Sequence, residues 1–203
     1  MKEVIIATTN LGKAREFEQL LHSKGYTVKT LQDYPQLEDV EETGSTFEEN
    51  AIIKAESVSK ALGVLVIADD SGLEIDALGG RPGVYSARYA GPSKNDDANI
   101  DKVLDEMEGI DESERTARFR CVLAVAAPYE KPVTFSGKCE GRILSERRGT
   151  HGFGYDPIFY VIKEGRAMAE LGAEEKNAIS HRAMALKELE KELHIFDTDG
   201  RNS

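Results

Sequence analysis

The sequence predicts an α/β fold with a mixed β-sheet flanked by helices. Short apolar runs rich in β-branched residues alternate with runs of helical periodicity through the first half of the chain. Two long strand-like runs follow, at about 115–128 and 132–144, joined by a short Pro-containing connection that favours an antiparallel pair. The alternation and the hairpin together call for a sheet with both kinds of neighbour. With 203 residues, 40% of them hydrophobic, the chain suits one domain or two lobes sharing a core.

The first element, "EVIIAT" (3–8), reads as a buried strand, and the helix after it carries Phe17, Leu20 and Leu21 on one face. "YTVKTL" (26–31) is a second strand. A polar, acidic connection leads to Ser45, where S-T-F-E matches a capping box. The helix beyond has Phe47, Ala51, Ala55, Val58 and Leu62 along its apolar stripe, and Asn50 and Lys54, four apart, on a neighbouring polar face. Gly63 ends it. "VLVIADD" (64–70) is the clearest strand in the chain; Asp-Ser-Gly then reads as turn material before a return strand, "LEID". "GGRPGVYSARYAGPS" (79–93) reads as an ordered loop, 95–108 as a helix, and "SERRGTHGFGYD" as a mobile stretch. A last helix starts around Asn177 or Ser180, with Ala183, Leu186, Leu189 and Leu193 at core spacing, and the tail "DTDGRNS" (197–203) is expected to fray.

Composition excludes several functions. No apolar run approaches the roughly 20 residues that a membrane span needs, and the first strand follows Met1 too closely for a signal peptide. A net charge of −11 argues against a nucleic-acid polymer as partner, but not against a small anion met by local cations. Cys121 and Cys139 lack metal-ligand spacing and are expected to be reduced, as in the cytoplasm.

Four places hold chemistry. At Thr8-Thr9-Asn10-Leu11-Gly12-Lys13 a strand meets a helix N-terminus, whose free N–H groups and dipole suit a phosphate; equally, Thr9 or Asn10 simply caps the helix. Asp69 and Asp70 end a very apolar strand, where unpaired acids are costly and a hard cation such as Mg²⁺ would be at home. Adjacent strand residues point to opposite faces, so one of the two acids is expected to face a given site. Glu41 and Glu42 add carboxylates in a loop. Lys176, Ser180, His181 and Arg182 cluster at a helix start, where cations oppose the dipole unless they meet an anion. Finally, "HGFGYDPIF" (151–159) sets Phe153 between glycines, either as a turn over the core or as one wall of a flat slot.

Five stretches, taken together, resemble one family. "IATTNLGKAREF", "EETGSTFEENAIIKA", "IADDSGLEIDALGGRPGVYSARYAG", "GTHGFGYDPIF" and "EEKNAISHRAMAL" follow the order found in the noncanonical purine NTP pyrophosphatases, also called inosine triphosphate or dITP/XTP pyrophosphatases, and are spread along nearly the whole chain apart from its tail. The resemblance implies an elongated two-lobed domain over 1–196 with the active site in the cleft between lobes, and a homodimer. It also implies Mg²⁺-dependent hydrolysis of ITP, dITP and XTP to the monophosphate plus pyrophosphate, which clears deaminated purines from the nucleotide pool. Carried over by position, Thr8, Thr9, Asn10 and Lys13 hold the triphosphate with help from Lys54, and Asp70 is the base and a metal ligand. Glu42 is the second metal ligand, with Glu41 as the fallback. Ser71 contacts substrate, Phe153 stacks on the base, and Gly154, Tyr155 and Asp156 shape the pocket. Lys176, His181 and Arg182 reach the base edge or the sugar-phosphate. Thr9 departs from the family's usual glycine. The rival readings are a nucleotide-binding sensor without turnover, and a pyrophosphatase or phosphatase for other nucleotides.

Overall fold

The computed structural model describes residues 2–37 and 40–192. Among them the strands in chain order are β1 (Lys2–Ile6), β2 (Tyr26–Thr30), β3 (Val66–Ile75), β4 (Thr116–Ala126), β5 (Val133–Ile143), β6 (Phe159–Val161) and β7 (Arg166–Ala167). The α-helices are α1 (Leu11–His22), α2 (Phe47–Leu62), α3 (Asp96–Glu106), α4 (Ala173–Ile179) and α5 (His181–Glu190). One sheet takes the spatial order β2-β1-β3-β4-β5-β6-β7. β1 is parallel to β2 and β3, and every later pair is antiparallel, so the sheet is mixed as the sequence predicts. No helix of the described residues is long and apolar enough to cross a membrane. Cys121 and Cys139 are both buried and unpaired.

β3 departs most from the sequence reading. Asp-Ser-Gly makes no turn, because β4 pairs with β3 without a break from Val66↔Ala126 to Ile75↔Ala117, Ser71 lying opposite Cys121 and Gly72 opposite Arg120. A long antiparallel partner overrides local turn propensity. Gly72 is needed there for space, since a Cβ would run into Ser86 and the Gly83 carbonyl.

Two helix ends also differ. Thr46, not Ser45, caps α2: its Oγ1 accepts the Glu49 N–H at 3.1 Å, and the Glu49 carboxylate reaches back to the Ser45 N–H at 2.7 Å. T-F-E-E satisfies the same pattern one residue further on. The expected last helix is two helices, with Ser180 in extended conformation between them, closing α4 and capping α5. The stretch expected to be mobile is tied down by backbone bonds, from Arg148 N–H to Pro157 and from Thr150 and His151 N–H to Ala169. Leu193 and the tail 197–203 lie outside the described residues.

Alternation along β3 and β4 sends successive side chains to two apolar clusters. Ile67, Cys121, Leu123 and Val125 pack under Phe17 and Leu21 of α1 and Leu186 and Leu189 of α5. Val66, Ala68, Val122 and Ala124 pack under Phe47, Ala51, Ala55 and Val58 of α2 on the other face. A third cluster gathers Leu73, Ile75, Ile100, Val103, Phe119, Ile158 and Phe159 around the far ends of β3 and β4. Residues 69–72 therefore sit where the first two clusters give way to the third. α5 rides directly on β5, because a Cβ on Gly137 would overlap the backbone of His181, Met184 and Ala185. Gly137→Val should destabilise the fold by about 1–3 kcal/mol, the usual cost of overpacking. Urea denaturation will read this as a lower midpoint at unchanged slope.

Candidate active site

The site is assembled at the end of β1, the middle of β3 and the starts of α1 and α5. β1 stops at Ile6 and the chain turns outward, so that the Thr8 hydroxyl accepts the Asn10 N–H at 3.1 Å and Asn10 Oδ1 accepts the Lys13 N–H at 3.0 Å. Asn10 is thus the helix cap, while Thr9 is exposed. One turn into α1, the Lys13 ammonium lies 2.6 Å from Asp69 Oδ1.

The two adjacent acids diverge as a strand requires. Asp69, 1% exposed, faces α1 and α5, where it pairs with Lys13 and, at 3.3 Å, with Arg182 Nε, and takes a bond from the Cys121 thiol at 3.5 Å. Burial pushes its pKa up, but Lys13, Arg182 and Lys54 outweigh burial and hold it far below the usual carboxylate range. Asp70 faces α2, where Lys54 Nζ lies 3.5 Å from its Oδ1; its Oδ2 is buried with no hydrogen-bond partner. Here burial prevails over Lys54 and Lys13, and Glu42 and Asp69 reinforce it, so the Asp70 pKa is raised. Lys54 also pairs with Glu42 Oε1 at 2.7 Å and donates to the Asp69 carbonyl at 2.7 Å. Arg88 approaches Glu42 Oε2 at 3.5 Å. Glu41 is exposed and takes no part in this cluster.

Phe153 forms the second half of the site. It is half-buried, with Lys176 Nζ 4.7 Å and Arg182 Cζ 5.3 Å from its ring centre. Its ring lies against α1 at Gly12, where a Cβ would stand 2.5 Å from Phe153 Cγ. Gly152 and Gly154 have φ of +80° and +59°, and a Cβ on Gly152 would collide with the Asp156 carboxylate. That carboxylate accepts the Phe153 N–H at 3.0 Å and the Lys176 ammonium at 2.7 Å, while Asp96 Oδ2 accepts the Gly154 N–H at 2.8 Å. Burial raises the Asp156 pKa despite Lys176. Tyr155 is buried and donates its hydroxyl to the Ser86 carbonyl at 2.7 Å. His181 lies flat against Phe119 with ring centres 4.9 Å apart, and its Nδ1 is buried without a partner. Burial, with Arg182 adding to it, keeps that imidazole neutral. A slot of about 70 Å³ lies among Lys13, Ser71, Phe153, Lys176, His181 and Arg182.

Arg182 joins the two halves. Its guanidinium is 3% exposed and donates to Glu16 at 3.0 Å and to the Ser71 hydroxyl at 2.7 Å, pairs with Asp69, and lies over Phe153. A model of the Ham1 family matches residues 4–192. The chain belongs to the Ham1 family. It is 61% identical over 193 residues to a protein of Bacillus subtilis named dITP/XTP pyrophosphatase, covering 95% of this chain and 98% of that one. A protein of Bacillus cereus with the same name is 60% identical over 195 residues, 95% of each chain. Two Ham1 structures superpose on it. That from Staphylococcus aureus has a TM-score of 0.83 at 47% identity, covering 95% of this chain and 98% of its own. That from Coxiella burnetii has a TM-score of 0.85 at 46% identity, covering 96% and 99%.

Every residue singled out in the Ham1-like stretches lies at this site except the exposed Glu41 and Thr9, which make no side-chain contact with it. Sequence reasoning passed over four others: Glu16, Asp69 as an ion-pair hub, Arg88 and Asp96. Glu16 had a signal, since it adjoins Phe17 and stands four before Leu20 on the buried side of α1. Burial pushes its pKa up, but Arg182 and Lys176 bring it from 4.5 down to about 2. A depressed carboxylate stabilises the fold above its unfolded pKa and loses that contribution as pH falls through the folded one. Glu16 should therefore contribute on the order of 3 kcal/mol at neutral pH, lost between 4.5 and about 2. Urea-unfolding free energies of wild type and Glu16→Gln should differ by about that amount at pH 7 and converge only below about pH 2.

Proposed function

We propose that the protein hydrolyses the noncanonical purine nucleoside triphosphates ITP, dITP and XTP to the monophosphate plus pyrophosphate. The continuity of Arg182 from the Phe153 slot to Asp69 carries this reading, because it joins a surface for a flat base to a cluster of cations and carboxylates suited to phosphates. The names of its relatives at 60 and 61% identity agree.

Phe153 supplies the stacking face, which by itself accepts any base. Discrimination then falls to polar groups around the slot. Lys176 and Arg182 are donors only, which suits the 6-keto acceptor of hypoxanthine and xanthine and leaves adenine's 6-amino group facing donors. His181, held neutral, has one ring nitrogen free for the base or sugar.

Glu42 and Asp70 suit Mg²⁺. Both face the Lys54 ammonium, and Asp70 Oδ2 is a buried oxygen lacking a partner. Among the described residues no cluster of three or more His, Cys, Asp or Glu could hold a metal by itself. Mg²⁺ needs none, since it commonly takes one or two carboxylates plus substrate phosphates and water. When bound, the ion would screen phosphate charge and favour attack on phosphorus. Lys13, Lys54 and the N–H groups at the start of α1 would hold the triphosphate, with Thr8, Asn10 and Ser71 beside it. Asp70 would take the proton of the water that attacks the α-phosphorus. The bond from that phosphorus to the α–β bridging oxygen breaks, and its electron pair leaves with pyrophosphate. The two-lobed arrangement, the homodimer and a cytoplasmic location complete the reading, on the family resemblance and on the reduced cysteines.

A panel of ITP, XTP, dITP, GTP and ATP, with and without Mg²⁺ and with pyrophosphate and orthophosphate scored apart, tests it. Pyrophosphate from the first three, only with metal, is expected; orthophosphate, or equal use of ATP, would refute it. Asp70→Asn should lower kcat by about a hundredfold or more, the usual worth of a general base. Phe153→Ala should raise KM for ITP by about tenfold, within the range of base–aromatic stacking; unchanged KM and kcat would remove Phe153 from the base site.

A further inference from the structure

We propose that Arg88 is a further catalytic residue, which binds the β- and γ-phosphates and receives the departing pyrophosphate. The proposal rests on the pyrophosphatase reading of the site and adds to it the group that meets the leaving charge.

The first observation concerns how the cations are engaged. Lys13 is held by Asp69 at 2.6 Å, Lys54 by Glu42 at 2.7 Å and the Asp69 carbonyl, Lys176 by Asp156 at 2.7 Å, and Arg182 by Glu16, Ser71 and Asp69. Arg88 differs. Its side chain is 33% exposed, and its one polar contact among the described residues is with Glu42 Oε2 at 3.5 Å. Among the described residues, the rest of its donor fork meets no acceptor. Such a fork, rigid and permanently charged, matches phosphate oxygens bidentately.

The second observation is that the backbone carrying Arg88 is fixed with care while the side chain is not. On one side of it, Tyr155 donates to the Ser86 carbonyl at 2.7 Å, and the Ser86 hydroxyl bridges the Leu73 N–H and the Gly83 carbonyl at 2.9 and 2.6 Å. On both sides, the buried Asn99 donates to the Ala87 carbonyl at 3.1 Å and accepts the Ala90 N–H at 2.7 Å. The guanidinium also lies over the Tyr85 ring, 5.2 Å from its centre. A loop ordered from both ends to present a weakly engaged arginine is preorganised for a ligand.

The third observation gives the ligand's place. Glu42 holds Lys54 with one oxygen and meets Arg88 with the other, so the two cations flank one carboxylate beside Asp70. An ion that draws Glu42 to itself would release Arg88 and loosen Lys54 together. Both are then free for the phosphates beyond the scissile bond. As the α-phosphorus parts from the bridging oxygen and negative charge gathers on pyrophosphate, Arg88 donates to that charge.

The test is calorimetric titration of inorganic pyrophosphate and, separately, of IMP into wild type, Arg88→Ala and Arg88→Lys at fixed Mg²⁺, alongside ITP turnover. Arg88→Ala should bind pyrophosphate about tenfold or more weakly, the scale of one lost charge-assisted contact. It should bind IMP within about twofold of wild type, at that same scale of less than one contact. Arg88→Lys should recover part of the pyrophosphate affinity, and kcat for ITP should fall in the same order. Unchanged pyrophosphate affinity in Arg88→Ala, with wild type binding normally, would overturn the assignment alone. So would equal loss of IMP and pyrophosphate, which would mark a structural role. Wild type that bound neither ligand and left ITP intact would overturn the pyrophosphatase reading, and the Arg88 assignment with it.

Discussion

Asp69 is a fully buried carboxylate inside β3, and it is tolerable there only as part of an ion-pair cluster. Lys13 comes to it from the first turn of α1 and Arg182 from the first turn of α5, two helices separated by most of the sequence. Breaking either pair would leave an uncompensated charge in a dry interior, which typically costs several kcal/mol. The docking of both helix starts onto β3 is therefore coupled to one side chain. Arg182 extends the coupling through Glu16 to Lys176, Asp156 and the Phe153 turn. The base slot and the acid cluster are thus one electrostatic unit.

That unit is neutralised from within. Five carboxylates (Glu16, Glu42, Asp69, Asp70, Asp156) face five cations (Lys13, Lys54, Arg88, Lys176, Arg182). For a highly charged ligand this arrangement solves a problem of stability. Unpaired cations packed to await a triphosphate would repel one another and destabilise the fold, whereas paired ones need only exchange partners. On the proposed function, a nucleotide arriving with a divalent ion would bring both halves of the exchange: the ion for the carboxylates, the phosphates for the cations. The differing pKa directions of the adjacent acids belong to the same scheme, since Asp69 is locked ionised by two close cations while Asp70, with one more distant partner, keeps a raised pKa.

Glycine has a steric task at this site as much as a conformational one. Gly12 lets Phe153 lie on α1, and Gly152 leaves room for the Asp156 carboxylate that holds the Phe153 N–H. The aromatic ring that the chain sets among glycines is therefore held from three sides by α1, by its own turn and, through Asp96, by α3.

Local rules carried far in this chain. Periodicity located β1 to β5 and α1 to α3, though not β6, β7 or the break between α4 and α5; the apolar stripes of α1, α2 and α5 proved to be core faces, and the two-residue period of a strand sent Asp69 and Asp70 to opposite sides. The ordered motifs were enough for the family and for most of the residues gathered at the site, because the chemistry of phosphate, metal and base restricts which side chains serve. What the sequence could not decide were matters of pairing across distance. Asp-Ser-Gly has turn propensity, and only the register of β4 makes it strand. Glu41 and Glu42 are alike as a dipeptide, and only the position of Lys54 on α2 selects Glu42 for the cluster. Glu16, Arg88 and Asp96 are ordinary charges on their own elements until α5, the 41–44 loop and the Phe153 turn are folded against them. Local structure depends on neighbours a few residues away, which the sequence lists in order; ion pairs depend on which elements meet, which the sheet order and helix packing alone determine.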